Sequence, residues 1–177
     1  MNGHLLLEAI DRAFNLQLSD ARKRGIEDAH LAYFMQLAGE VVPVAGADRA
    51  ARALERLGVR MAVVTSADRS EAERFFAPLN LTPSTVIVTR EENGRSKPAR
   101  PQLDQAFKEL RVQPHEAAYV GDSVWDMLAS RNAGSFGVGV LTGGYSREEL
   151  TASGAYRVYR DVAELLAHVE ELGIDAA

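Results

Sequence analysis

The 177 residues carry 25 acidic against 20 basic side chains, a net charge of −5, with 46% hydrophobic residues and no cysteine. That composition fits one globular domain with a sizeable core; it excludes disulfides, thiolate catalysis and cysteine-ligated zinc, and the lack of a basic stripe argues against sequence-independent nucleic-acid binding. No apolar run approaches the roughly 18 residues of a membrane span and the start lacks a basic-then-apolar secretory pattern, so a cytoplasmic protein is the expectation.

Residues 4 to 18 place Leu6, Ala9, Ile10, Ala13 and Phe14 at helical spacing. Residues 27 to 38 repeat the pattern with Leu31, Phe34, Met35 and Ala38. Between them DARKRG is charged and ends in Gly25, which reads as a break between two helices. A third helix over Asp48 to Leu57 is closed by Gly58. Arg60 to Thr65 then reads as a buried strand, and from there helix and strand patterns alternate. They run as helix 69–77, strand Thr85 to Thr89, the loop REENGRSKPAR, helix 101–110 and strand Ala117 to Val120. A helix closed by Gly134, strand Phe136 to Leu141, a helix near 146–152, strand Tyr156 to Tyr159 and a helix over 161–172 complete the chain. Alternation of this kind predicts an α/β fold, Rossmann-like, with a parallel sheet between two helical layers. No internal repeat or low-complexity stretch interrupts it.

The densest chemical signal is AAYVGDSVWDMLASRNAG, residues 117–134. A short apolar run fits a strand buried in a parallel sheet. Gly121 allows a tight turn, and Asp122 or Ser123 caps a helix whose apolar face is Val124, Met127, Leu128 and Ala133. Asp122 and Asp126 lie four residues apart, on one face, where the strand gives way to the helix. In open α/β sheets, ligands bind in the crevice outside the carboxyl ends of the strands. Two carboxylates held that close repel unless a cation lies between them. Mg²⁺, which takes one or two carboxylates plus waters and substrate phosphate, fits the pair. The simpler account is a helix cap at Asp122 and a first-turn acid at Asp126.

Three more polar groups belong to this pattern. Thr65 ends the apolar run MAVV, so its hydroxyl emerges at the carboxyl edge of the sheet, with Ser66 next to it. Hydroxyls and main-chain N–H groups there bind phosphoryl oxygens, although Ser66 or Asp68 also suits a helix N-cap. Lys97, in SKPARP, is pushed towards an extended conformation by Pro98. It supplies a point positive charge for phosphate or clustered carboxylates, or is simply solvated.

In this order, MAVVTSAD, GRSKPARP and YVGDSVWDMLASRNAG resemble the second, third and fourth motifs of the haloacid dehalogenase-like hydrolase superfamily, closest to its phosphoglycolate-phosphatase-like branch. LTGGYSREEL and GAYRVYRDVAELL resemble the closing segments of that family. The resemblance covers roughly residues 41 to 172. It implies Mg²⁺ held by Asp122 and Asp126, a phosphate bound by Thr65, Ser66, Lys97 and Ser123, and catalytic roles for Lys97 and Asp126. It also implies a small phosphorylated metabolite as substrate. Residues 1–40 resemble part of a helical cap and 41–177 the core, within one structural domain overall.

One part of the family pattern is missing. The first motif, DxDx[TV] at the end of the first strand, carries the nucleophilic Asp and a general acid/base. The acids before Thr65 are Glu8, Asp11, Asp20, Glu27, Asp28, Glu40, Asp48 and Glu55, and none follows an apolar strand in DxD form. Covalent phosphoryl transfer of the family's kind therefore has no acceptor here. The resemblance puts that strand between those ending at Thr65 and Val120, and its loss leaves two unpaired strand edges. Three repairs are open: an upstream start beyond Met1, which is the expectation; closure of the two edges on each other; or a replacement strand from HLLLEAI. An exposed sheet edge also favours homodimers.

Other features carry less. His4, His30, His115 and His168 lack metal-ligand spacing. FGVGVLTGG is not a dinucleotide fingerprint. Tyr119 and Trp125 read as packing residues. A phosphorylation-receiver domain, which also combines acids, hydroxyl and lysine, is excluded because its acids come first and its lysine last. Two readings remain: a Mg²⁺-dependent phosphatase without its nucleophile, or a non-catalytic relative that binds Mg²⁺ and phosphate or a protein partner.

Overall fold

The computed structural model describes residues 3–67, 69–89 and 101–174. Two compact units divide the chain, Met1–Val42 and Pro43–Ala177.

The first unit consists of α1 (Gly3–Phe14), α2 (Asp20–Leu37) and a closing 3₁₀ turn. Asn15 and Gln17 take left-handed backbone angles (φ 49° and 52°) to reverse the chain. The Asp11 carboxylate fastens the turn, accepting the Leu18 N–H at 3.0 Å and pairing with Lys23 at 2.9 Å. Ser19 Oγ accepts the Arg22 N–H, so α2 starts seven residues before the predicted Glu27. Gly25 does not break it: a mid-helix glycine costs only about 1 kcal/mol relative to alanine, and the cap and ion pair lie ahead of it. The predicted apolar faces stay largely open. No residue of α2 is buried, and Phe14 is 72% exposed. Two helices alone offer each other one narrow seam, too little to cover both stripes.

The second unit alternates helix and strand as expected. It contains α3 (Ala47–Arg56), β1 (Ala62–Val64), α4 (Arg69–Phe76), β2 (Val86–Val88), α5 (Pro101–Leu110) and β3 (Ala118–Gly121). Next come α6 (Val124–Ala133), β4 (Phe136–Val140), α7 (Arg147–Ala152), β5 (Ala155–Tyr159) and α8 (Val162–Ala167). The last predicted helix is cut short: α8 ends at Ala167, and Val169–Leu172 tightens into a 3₁₀ turn after His168 leaves helical angles. All strand pairs are parallel, giving the α/β class, but they form two sheets. One has the order β1–β2 and the other β3–β4–β5.

One core bridges the two sheets. Leu103 and Phe107 of α5 pack with Ala129 and Ala133 of α6, and both Val64 of β1 and Tyr119 of β3 rest on that cluster. Gln102, in the first turn of α5, donates from Nε2 to the Thr65 carbonyl at 2.8 Å. At the other end of α5, Arg60 donates to the carbonyls of Leu110 and Arg111. Helix α5 is thus antiparallel to β1, and β3, returning alongside α5, runs the same way as β1. The carboxyl ends of both strands meet the same edge of the unit. Of the repairs for a missing strand, two are absent: β1 and β3 lie in different sheets, and HLLLEAI is helical within α1.

Candidate functional site

Thr65 and Ser66 follow β1, and Asp122, Ser123 and Asp126 follow β3, so these five lie at the carboxyl edge described above. Lys97, like Asp68, lies outside the described residues.

The strand-to-helix junction after β3 is built from small residues and one capping box. Ser123 is the N-cap of α6; its Oγ accepts the Asp126 N–H at 3.3 Å, and the Asp126 carboxylate accepts the Ser123 N–H at 3.2 Å. Ser123 Oγ also donates to Asp126 Oδ2 at 2.6 Å, and the Tyr119 hydroxyl donates to Oδ1 at 3.2 Å. Asp126 is 5% exposed. Among the described residues its carboxylate thus accepts from three donors at the N-terminus of α6. Of the two candidates for the cap, Ser123 takes the role, which leaves Asp122 free of it.

Asp122 is half-buried, and among the described residues no hydrogen bond reaches its carboxylate. Its orientation is set by packing. A Cβ on Gly143 would lie 2.3 Å from the Asp122 carbonyl oxygen and 2.6 Å from its Cγ, so only a glycine lets the loop after β4 approach this closely. Gly121 does the same for Asp126, where an added Cβ would lie 2.3 Å from the Asp126 Cβ.

On the β1 side, Thr65 Oγ1 accepts the Ala67 N–H at 3.1 Å, and the Thr65 N–H donates to the Val88 carbonyl at 3.0 Å. Among the described residues no acceptor takes the Thr65 hydroxyl proton. Gln102, 1% exposed, fixes the Thr65 carbonyl from beneath, and its own Oε1 has no partner among the described residues.

The donor set fits a hard cation held through Asp122 and Asp126. Mg²⁺ takes few protein carboxylates and keeps waters, and among the described residues no group of three His, Cys, Asp or Glu assembles that would fit a fully protein-caged metal. Sequence reasoning missed Gln102 and Gly143 and read Tyr119 as packing alone. Only the Tyr119 hydroxyl, seven residues from Asp126, had a local signal. The others act across 37 residues (Gln102 to Thr65) and between two loops.

Comparison with known proteins adds family context. A model of the haloacid dehalogenase-like hydrolase family matches residues 3–134. A phosphoglycolate phosphatase of Rhodospirillum rubrum is 31% identical over 168 residues, covering 91% of this chain and 69% of that protein. A validoxylamine A 7'-phosphate phosphatase of Streptomyces hygroscopicus is 33% identical over 102 residues, covering 57% of this chain and 48% of its own. The chain therefore spans about half to two thirds of these relatives. Among solved structures, a hydrolase from Pseudomonas syringae superposes with a TM-score of 0.89 at 30% identity, over 97% of this chain and 78% of that one.

Proposed function

The chain belongs to the haloacid dehalogenase-like hydrolases, and we propose that it carries the Mg²⁺- and phosphate-holding part of a cytoplasmic phosphomonoesterase site for a small phosphorylated metabolite. The observation that carries this reading is the pairing at one edge: Asp122, whose carboxylate no described residue engages, Asp126 accepting from Ser123 and Tyr119, and Thr65, whose hydroxyl proton no described acceptor takes. The names of two relatives, both phosphatases of small phosphorylated compounds, support the substrate class.

In this reading Asp122 and Asp126 hold Mg²⁺, which when bound neutralises charge on the phosphoryl oxygens. Thr65 and Ser66 donate to those oxygens, Ser123 orients Asp126 through its hydroxyl and main-chain N–H and lies beside the phosphate at the same edge, and Lys97 supplies a further positive charge. What the 177 residues do not contain is a DxDx[TV] acceptor. Binding without a positioned attacking group is not turnover. This chain by itself is accordingly a binding module of the phosphatase fold.

The test is hydrolysis of p-nitrophenyl phosphate by the full chain with Mg²⁺. Release of p-nitrophenol stays at the uncatalysed rate. Turnover well above it that vanishes in Asp122→Ala would reveal an acceptor among these residues and overturn the non-catalytic part of the reading.

A further inference from the structure

Thr65 follows β1 with three of its polar groups already engaged. Its N–H donates to the Val88 carbonyl at 3.0 Å, its Oγ1 accepts the Ala67 N–H at 3.1 Å, and its carbonyl accepts from Gln102 Nε2 at 2.8 Å. The first contact continues the β1–β2 ladder beyond its last strand pair, Val64 with Val88, and the second is a local turn. Only the third comes from afar, since Gln102 stands in the first turn of α5, 37 residues along the chain.

A glutamine is an odd choice for that place on stability grounds. Gln102 is 1% exposed, and its Oε1 has no partner among the described residues. The other buried residues of α5 are Leu103, Ala106 and Phe107, so the helix face is otherwise apolar. An amide oxygen taken out of water without a partner destabilises the folded state, and an apolar side chain of the same shape avoids that loss. What the amide adds is the bond to Thr65.

That bond fixes a peptide plane. In a trans peptide the carbonyl and the following N–H point in opposite directions. Holding the Thr65 carbonyl towards α5 therefore turns the Ser66 N–H away from it, and among the described residues no acceptor takes that N–H. With the other polar groups of Thr65 tied, its hydroxyl proton and the Ser66 N–H are the donors left over at this edge. We infer that Gln102 is a positioning residue for a bound oxyanion: through the Thr65 carbonyl it aims the Ser66 N–H, together with the Thr65 hydroxyl, at a phosphoryl group. The inference rests on the phosphate reading proposed above and adds a residue that does not itself touch phosphate. Donors fixed before the ligand arrives need no ordering when it binds. Without the amide the Thr65–Ser66 peptide can tilt, and phosphate has to order it.

The experiment is a titration of inorganic phosphate into the full chain at saturating Mg²⁺, followed by proton–nitrogen NMR. It compares the unaltered chain with Gln102→Met, which keeps the length of the side chain and removes its amide. The unaltered chain should bind saturably and shift the Ser66 amide. Gln102→Met should bind phosphate about fivefold more weakly, the worth of one hydrogen bond, and lose most of that shift. Its urea midpoint should stay equal or rise, because the orphaned Oε1 goes with the donor, and its Mg²⁺ affinity without phosphate should not change. Equal phosphate affinity in the two chains would overturn this inference alone. A fall in the urea midpoint or in Mg²⁺ affinity alongside the weaker phosphate would mark general loosening and overturn it as well. No saturable phosphate binding by the unaltered chain would sink the phosphate reading and this inference together.

Discussion

At the scale of single residues, the site depends on what is missing from two side chains. A Cβ at Gly143 would strike the Asp122 main-chain oxygen at 2.3 Å, and a backbone atom cannot swing aside as a flexible side-chain tip can. Gly143→Ala should therefore cost about 1–3 kcal/mol, the usual range for overpacking, read as a lower urea midpoint. Gly25 is the internal control: nothing lies within 4 Å of its added Cβ, inside α2. Gly25→Ala should stabilise the first unit by about 0.5–1 kcal/mol through helix propensity. A loss there, or no effect at Gly143, would contradict the packing described. The sequence made Asp122, Ser123 and Asp126 visible because a capping box and a paired carboxylate are local patterns, three and four residues long. It hid Gln102, whose partner Thr65 is 37 residues away, because nothing local marks which buried amide will reach which carbonyl.

At the scale of elements, the connection between α1 and α2 is a charge-dependent clasp. The Leu18 N–H, then Lys23, hold the Asp11 carboxyl below its ordinary value of 3.8. A carboxyl lowered by folding contributes stability that is present above its unfolded value and disappears as pH falls through the folded one. The clasp should hold at pH 5–7 and open only below the ordinary carboxylate range. The Leu18 amide shift followed by NMR reports this, and Asp11→Asn should abolish the acid transition; an unchanged transition in that variant would rule out the clasp. Element order from Asp48 to Tyr159 was legible because helix and strand periods alternate cleanly there. The start of α2 was not, since the Ser19 cap and the Asp11–Lys23 pair outweigh a glycine that reads as a stop. The end of the chain was misjudged for the opposite reason: apolar spacing persists through Leu172, but His168 departs from helical angles and α8 ends.

At the scale of the whole molecule, parallel α/β architecture was readable from alternation, whereas the division into two sheets came from a residue pattern that is absent rather than present. Among the described residues the strands pair as β1–β2 and β3–β4–β5, and no periodicity in the sequence marks where one sheet ends and the other begins. Phe14 and Leu31 of the first unit are exposed, since neither α1 nor α2 has enough neighbours within its own unit to cover them. Amphipathic spacing identifies such stripes but does not say whether anything covers them.

Calorimetric titration of Mg²⁺ into the full chain, with and without inorganic phosphate, tests the assignment of the GDSVWD edge most directly. Saturable binding is expected, tightened by phosphate because linked ligands strengthen each other reciprocally, and weakened at least tenfold in Asp122→Asn. Mg²⁺ affinity unchanged by Asp122→Asn would remove the metal from this edge and, with it, the proposed function.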